Sequence, residues 1–312
     1  MATSRDESQV LVIGSAGVDI VGRPSAALLD QTSNPGQVRV SFGGVARNVA
    51  ENLARLGTSV ALITAVGDDP QGQALLDDAR QAGINTDHVL VSHEQPTGAY
   101  MAILDPQGNL HLALDDMRVV RNITPEYLRS RWDVFREASL VFTDANLSSR
   151  ALSTVVQLAR RAQAPVAADP TSVALAPNLT PHLDQLWLIT PNEAEAEALH
   201  PEPVPHDPAR ATDAARRLVA RGVEIAIITM AEFGLVYATA DRSGHVPAIQ
   251  TEIADPTGAS DALTAAVLFA LLNEIPLDEA VRLGLSAAAL TLRSHGTVMK
   301  DLSLELLYDQ LM

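Results

Sequence analysis

Six short apolar runs rich in β-branched residues punctuate this chain: QVLVIG (9–14), SVALITAV (59–66), ASLVFT (138–143), PVAAD (165–169), LWLIT (186–190) and VEIAIIT (223–229). An apolar run without polar alternation is buried on both faces. Such strands pair in a mostly parallel sheet covered by helices on both sides. The covers are legible between the runs. VARNVAENLARLG, PQGQALLDDARQAG, SSRALSTVVQLARRAQA and DPARATDAARRLVARG carry helical periodicity, and all but the third end at a glycine suited to a C-cap. The predicted fold is an α/β, doubly wound, mostly parallel sheet with helices on both faces. It is expected to form a single domain over residues 1–312.

Two segments break the rhythm. Residues 21–42 end in QTSNPGQVRVSF, a turn followed by alternation. Residues 95–118 contain two alternating runs around DPQGN, a hairpin signal. These segments are expected to form a small β-sheet lid inserted in the core, against the alternative of an antiparallel extension of the main sheet.

Composition narrows the function. The net charge is −16, which argues against nucleic acid as a partner. Lys300 is the only lysine, so anion recognition must rest on arginine and on backbone amides. With no cysteine there is no disulfide, thiolate nucleophile or Cys-ligated metal. No apolar run is long enough to span a bilayer, so no membrane is expected and the chain reads as cytoplasmic. There is no GxxxxGK[ST], and GSAGVD lacks the full GxGxxG pattern.

Ligands of open α/β sheets bind at the carboxyl ends of the strands. GSAGVD places Asp19 there, DAN places Asn146, and PNEAE places Asn192 and Glu195. DPTGASDAL (255–263) opens a long apolar helix. Free amides at Gly258, Ala259 and Ser260 would make an anion site there, and Asp261 beside it is placed to accept a proton. Alternatively, Asp261 only complements the helix dipole. Gly43 and Gly44 suit a hinge with close backbone approach, followed by Arg47 as a phosphate contact and by Asn48; an ordinary glycine turn is the competing explanation. Glu195 shares a helix face with Asn192 and suits Mg²⁺, although acids are common in any first helical turn.

In this order, GGVARNVAENLARLG, PNEAE, TMAEFG and DPTGASDAL resemble the motifs of the ribokinase-like, or PfkB, family of sugar and nucleoside kinases. The resemblance implies ATP and Mg²⁺ as cofactors, and K⁺ as a further one. It makes Asp261 the general base, with Gly258, Ala259 and Ser260 as the anion hole. It gives Asp19, Gly43, Gly44 and Asn48 to the acceptor's hydroxyls, Asn192, Thr229 and Gly234 to ATP, Glu195 to Mg²⁺, directly or through water, and Asp255 to a monovalent cation. The lid stretches SNPGQVRVSFGGVARN and TGAYMAILDPQGNLHLALDDM, with ITPEYL, are more narrowly similar to the pseudouridine-phosphorylating branch. That likeness adds Thr97, Asp116 and Asn146 to the substrate site. Gly17, Ala231 and Ser260 depart from the family pattern, which more often has Asn, Gly and Gly there. Competing expectations are another nucleoside or sugar kinase, or a non-catalytic nucleoside- or sugar-binding regulator. Exposed lid edges are expected to pair two subunits into a homodimer.

Overall fold

The computed structural model describes residues 9–108, 110–200, 202–294 and 296–311. Its main sheet has eight strands, in the order Ser243–Val246, Leu235–Ala238, Ile225–Thr229, Leu188–Ile189, Val166–Asp169, Ala138–Asp144, Gln9–Ile13 and Ser59–Ile63. The strands from Ile225–Thr229 to Ser59–Ile63 pair in parallel, and the other two are antiparallel. Every predicted run supplies a strand of this sheet. SVALITAV, however, breaks at Thr64. Its second half, Ala65–Gly67, leaves the sheet and pairs with Leu90–Ser92.

The apolar runs are split between two cores. Leu11, Ile13, Ala61, Ile63 and Val141 face one side; Val10, Val12, Val60, Leu62, Leu140 and Phe142 face the other. The helices Ser149–Ala162 and Pro208–Ala220 cover the first layer, while Val45–Arg55, Ala259–Leu272 and Leu277–Arg293 cover the second. Ala259–Leu272 is buried nearly all round because it packs against both of its neighbouring helices, which explains its lack of a polar face. The predicted glycine stops are met: Gly57, Gly83 and Gly222 adopt φ of 91°, 89° and 106°. Ser149–Ala162, which lacks a glycine, ends on a left-handed Gln163.

The irregular segments form a separate four-stranded sheet, in the order Gly36–Gly43, Gly17–Pro24, Gly98–Leu104 and Leu110–Asp116. They do not extend the main sheet. The first of these strands in the chain starts at Gly17, earlier than the expected boundary at 21. Asp19 therefore lies on the small sheet, not in a loop beyond the first core strand. Gly17 pairs with both Gly43 and Gly98, and a Cβ at Gly17 would come within 2.6 Å of the Gly98 carbonyl, so the base of this sheet depends on close backbone packing. Strand alternation then divides the two faces. Asp19, Val21, Tyr100, Ala102 and Asp115 look into a cleft, while Val38, Val40, Met101, Leu112 and Leu114 are exposed.

Candidate active site

A cleft of about 620 Å³ separates the inner face of the small sheet from the strand ends of the core. That volume suits a small organic ligand. Its floor is the start of the helix Ala259–Leu272. Gly258 precedes it at φ 83°, ψ −3°, and no side chain caps the helix. The first amides of a helix have no intrahelical acceptor, so those of Ala259 and Ser260 are left to a ligand, on the positive end of the dipole. Gly258, Ser260 and Asp261 line the cleft.

Asp261 is buried, and its Oδ2 accepts a 2.8 Å hydrogen bond from Asn48 Nδ2. Burial pushes its carboxyl up to about 7 despite that bond, and the carboxylates of Asp144 and Glu195 push the same way. Asp19 is likewise raised to about 7, by burial first and then by Asp261. The cleft thus holds two carboxyls that titrate near neutrality, where a proton acceptor is most useful.

Asp144 organises the surrounding backbone. Its Oδ2 accepts from Ser15 N at 2.7 Å, Ser15 Oγ at 2.6 Å and Ala46 N at 3.2 Å, and its Oδ1 accepts from Asn146 N at 3.0 Å. One carboxylate thereby joins the first core strand, the helix that carries Asn48, and Asn146. Gly44, at φ 93°, makes the close approach: a Cβ there would lie 2.6 Å from Ala16 Cα. At Gly43 a Cβ would strike the Asp19 carboxylate, 2.2 Å away. Gly44 is required by backbone packing, and Gly43 leaves room for the Asp19 carboxylate.

Three residues expected at the ligand have other partners in the structure. Arg47 is buried and does not line the cleft; it pairs with Glu51 and Asp78, and its Nη1 donates to Asn48 Oδ1 at 3.2 Å. It orients the Asn48 amide so that the NH₂ group faces Asp261. Thr97 is also turned away: its N and Oγ1 donate to Asp69 at 2.7 Å each, closing the turn before the helix Pro70–Gln81. Asp116 is held by Arg118, whose Nε and Nη2 donate to its two oxygens and keep its carboxyl down at about 2. Its neighbour Asp115 lines the cleft instead, since adjacent strand residues face opposite ways.

Asn146 lines the cleft. Its Nδ2 donates to Thr171 Oγ1 at 3.4 Å. Thr171 is itself a cleft residue held at φ 66°, an unfavourable backbone for a β-branched residue. Tyr100, Asp115, Met117, Thr171 and Ser172 are cleft residues absent from the expected set. Thr171 and Ser172 follow PVAAD, a strand end of the kind that marks binding positions, so this signal was available in the sequence.

Asn192 and Glu195 form a capping box: Glu195 N donates to Asn192 Oδ1 and Asn192 N to Glu195 Oε2, both at 2.9 Å. A bridge joins Asn192 to Thr229, placing these two together at adjacent strand ends. Gly234 makes the tight turn before Leu235–Ala238; a Cβ there would be 2.2 Å from the Val246 carbonyl. Ala231, in the same turn, takes a left-handed φ of 44°, as the glycine more usual there would do without strain.

The profile of the pfkB family carbohydrate kinases matches residues 7–302. The chain belongs to that family. It is 32% identical over 303 residues to pseudouridine kinase of Escherichia coli strain K12, covering 96% of this chain and 95% of the relative. It is 30% identical over 286 residues to guanosine-inosine kinase of Exiguobacterium acetylicum, covering 90% and 93%. The structure of Arabidopsis thaliana ribokinase complexed with ribose and ATP superposes with a TM-score of 0.85 over 98% of this chain and 99% of that one; at 21% identity this likeness is one of fold. The chain is thus a sugar or nucleoside kinase with a ribokinase-like fold.

Family membership brings a divalent cation into question. Burial drives Asp169 well above the carboxylate range, and Glu195 and Asp261 add to that. Among the described residues no three His, Cys, Asp or Glu side chains form a ready metal site. Glu195 would therefore hold Mg²⁺ through water, with phosphates completing the shell. Bound there, Mg²⁺ would neutralise phosphate charge. No helix among the described residues is long and apolar enough to cross a membrane.

Proposed function

We propose that this kinase uses ATP and Mg²⁺ to phosphorylate the 5′-hydroxyl of pseudouridine. The observation that carries the reading is the placement of Asp261 in the cleft, beside an uncapped helix N-terminus. The acceptor hydroxyl loses its proton to the Asp261 carboxylate. Its oxygen forms the new bond to the γ-phosphorus as the bond to the bridging oxygen breaks, leaving ADP. The amides of Gly258, Ala259 and Ser260 face the charge that develops on the transferred group. Asp19, Gly44 and Asn48 hold the ribose, with Gly43 leaving room for Asp19. Asn192, Thr229 and Gly234 lie on the nucleotide side. Pseudouridine as acceptor is supported by the lid sequences and by the 32% identity to the Escherichia coli enzyme. The similarity to guanosine-inosine kinase favours a second reading, a kinase of another nucleoside.

ADP release with pseudouridine, uridine, inosine, guanosine, adenosine, ribose and fructose decides between them. A preference for pseudouridine supports the reading. Turnover of another acceptor moves the assignment within the family, and binding without turnover supports the non-catalytic alternative. Asp115, solvent-exposed and lining the cleft, is assigned to the acceptor in place of Asp116. Asp115→Asn is expected to raise the acceptor's KM about tenfold or more, as for loss of a hydrogen bond to a charged group. Asp116→Asn is expected to leave it nearly unchanged; the reverse order would return the contact to Asp116.

The small sheet acts as a lid on a single domain, excluding water during transfer. Its exposed face, with Val38, Val40, Leu112 and Leu114, pairs two subunits as a homodimer. Light scattering at the monomer mass, with no substrate-dependent change in hydrogen exchange over 95–118, would reject both assignments.

A further inference from the structure

The alternation in VRVSF turns Arg39 inward with Ser41 and Gly43, between the exposed Val38 and Val40. From this lid strand Arg39 crosses to the core and pairs with Asp255, the first residue of DPTGASDAL. Asp255 is buried, and both of its oxygens have partners: Oδ2 accepts from Arg39 Nη2 and Oδ1 from Thr257 N at 3.0 Å. The family resemblance gives Asp255 to a monovalent cation. The residues present do not fit that role. The carboxylate already faces a fixed positive charge, and a second cation beside a guanidinium would meet like-charge repulsion. The guanidinium belongs to the chain itself, so the positive charge arrives at Asp255 with the lid strand.

We propose that Arg39 supplies to Asp255 the positive charge that potassium would otherwise supply, so that the reaction runs without a monovalent cation and acquires this charge from the lid. The inference rests on the kinase reading above. It gives Arg39 a positioning role: it acts through Asp255 on the turn that leads into Gly258.

The test compares wild type, Arg39→Met and Arg39→Lys in potassium chloride and in tetramethylammonium chloride at equal ionic strength. ADP release and the thermal midpoint of the ATP-free protein are both read. Wild type and Arg39→Lys are expected to behave alike in the two salts. Arg39→Met is expected to lose about tenfold or more of its activity in tetramethylammonium. Potassium should restore that activity and raise the thermal midpoint of this variant alone. Activation or stabilisation of the wild type by potassium would overturn the proposal, as would an Arg39→Met protein indifferent to potassium in both readouts. If wild type turns over no acceptor, the kinase reading fails on its own, and the thermal comparison still decides the cation claim.

Discussion

Asp261→Asn is expected to lower kcat by about 10²–10⁴-fold, the usual contribution of a positioned general base. Binding of the acceptor should change little, because an amide oxygen can still accept the 2.8 Å bond from Asn48 Nδ2. The same substitution is expected to stabilise the protein, and the sign follows from the raised carboxyl. Asp261 titrates near 7 in the folded chain against an ordinary 3.8. Below about pH 4 both folded and unfolded chains carry the proton, and the buried group costs nothing extra. Between about 4 and 7 the unfolded chain releases its proton first, so stability falls as pH rises. Above 7 the penalty is fully present, on the order of a few kcal/mol. The thermal midpoint of Asp261→Asn should therefore exceed that of wild type by more at pH 8 than at pH 5. In wild type, kcat/KM should climb as pH rises through about 7, as the buried pair of Asp261 and Asp19 loses a proton. Full activity in Asp261→Asn would remove the base assignment, and a midpoint difference that shrinks with pH would contradict the burial of an ionised carboxyl.

Much of this was legible in the chain, and the misses have a common form. Apolar runs identify buried parallel strands because both faces must be covered; Leu11 and Ile13 on one side of the sheet and Val10 and Val12 on the other bear that out. Spacing marked the helix that carries Asp261. What it did not give was the direction in which a polar side chain points. Arg47 neighbours Asn48 in the sequence, but adjacent helical residues diverge by about 100°. One faces the cleft and the other a buried ion-pair cluster with Glu51 and Asp78. Asp115 and Asp116 differ by one step of strand alternation, and register alone settles which faces inward. Thr97 was claimed by Asp69, a local turn partner that competes with any ligand. The Arg39–Asp255 contact spans 216 residues of sequence separation and depends on how the lid packs, so no local pattern signals it.

Gly258→Ala is expected to damage both the fold and the reaction. At φ 83° an L side chain costs about 1–2 kcal/mol of backbone strain. The space is closed as well: a Cβ at Gly258 would lie 2.0 Å from the Thr297 carbonyl oxygen, far inside contact distance and against backbone, not a flexible side chain. Forced overpacking of this kind adds about 1–3 kcal/mol. Relief requires either the helix start or the segment at Thr297 to move. Neither is free: Thr297 Oγ1 donates at 2.5 Å to the carbonyl of Phe42, next to the Gly43–Gly44 junction, and Arg47 donates to the same carbonyl. Movement at Thr297 therefore reaches the element that carries Asn48, and movement of the helix start displaces the amides of Ala259 and Ser260. Misplacing one such donor typically lowers kcat by about 10²–10³-fold. The expected outcome is a thermal midpoint well below wild type and, at temperatures where the variant remains folded, a fall in kcat larger than the change in the acceptor's KM. A folded Gly258→Ala protein with wild-type kcat would show that these amides do not face the transferred phosphoryl group, and the anion hole would have to be sought elsewhere in the cleft.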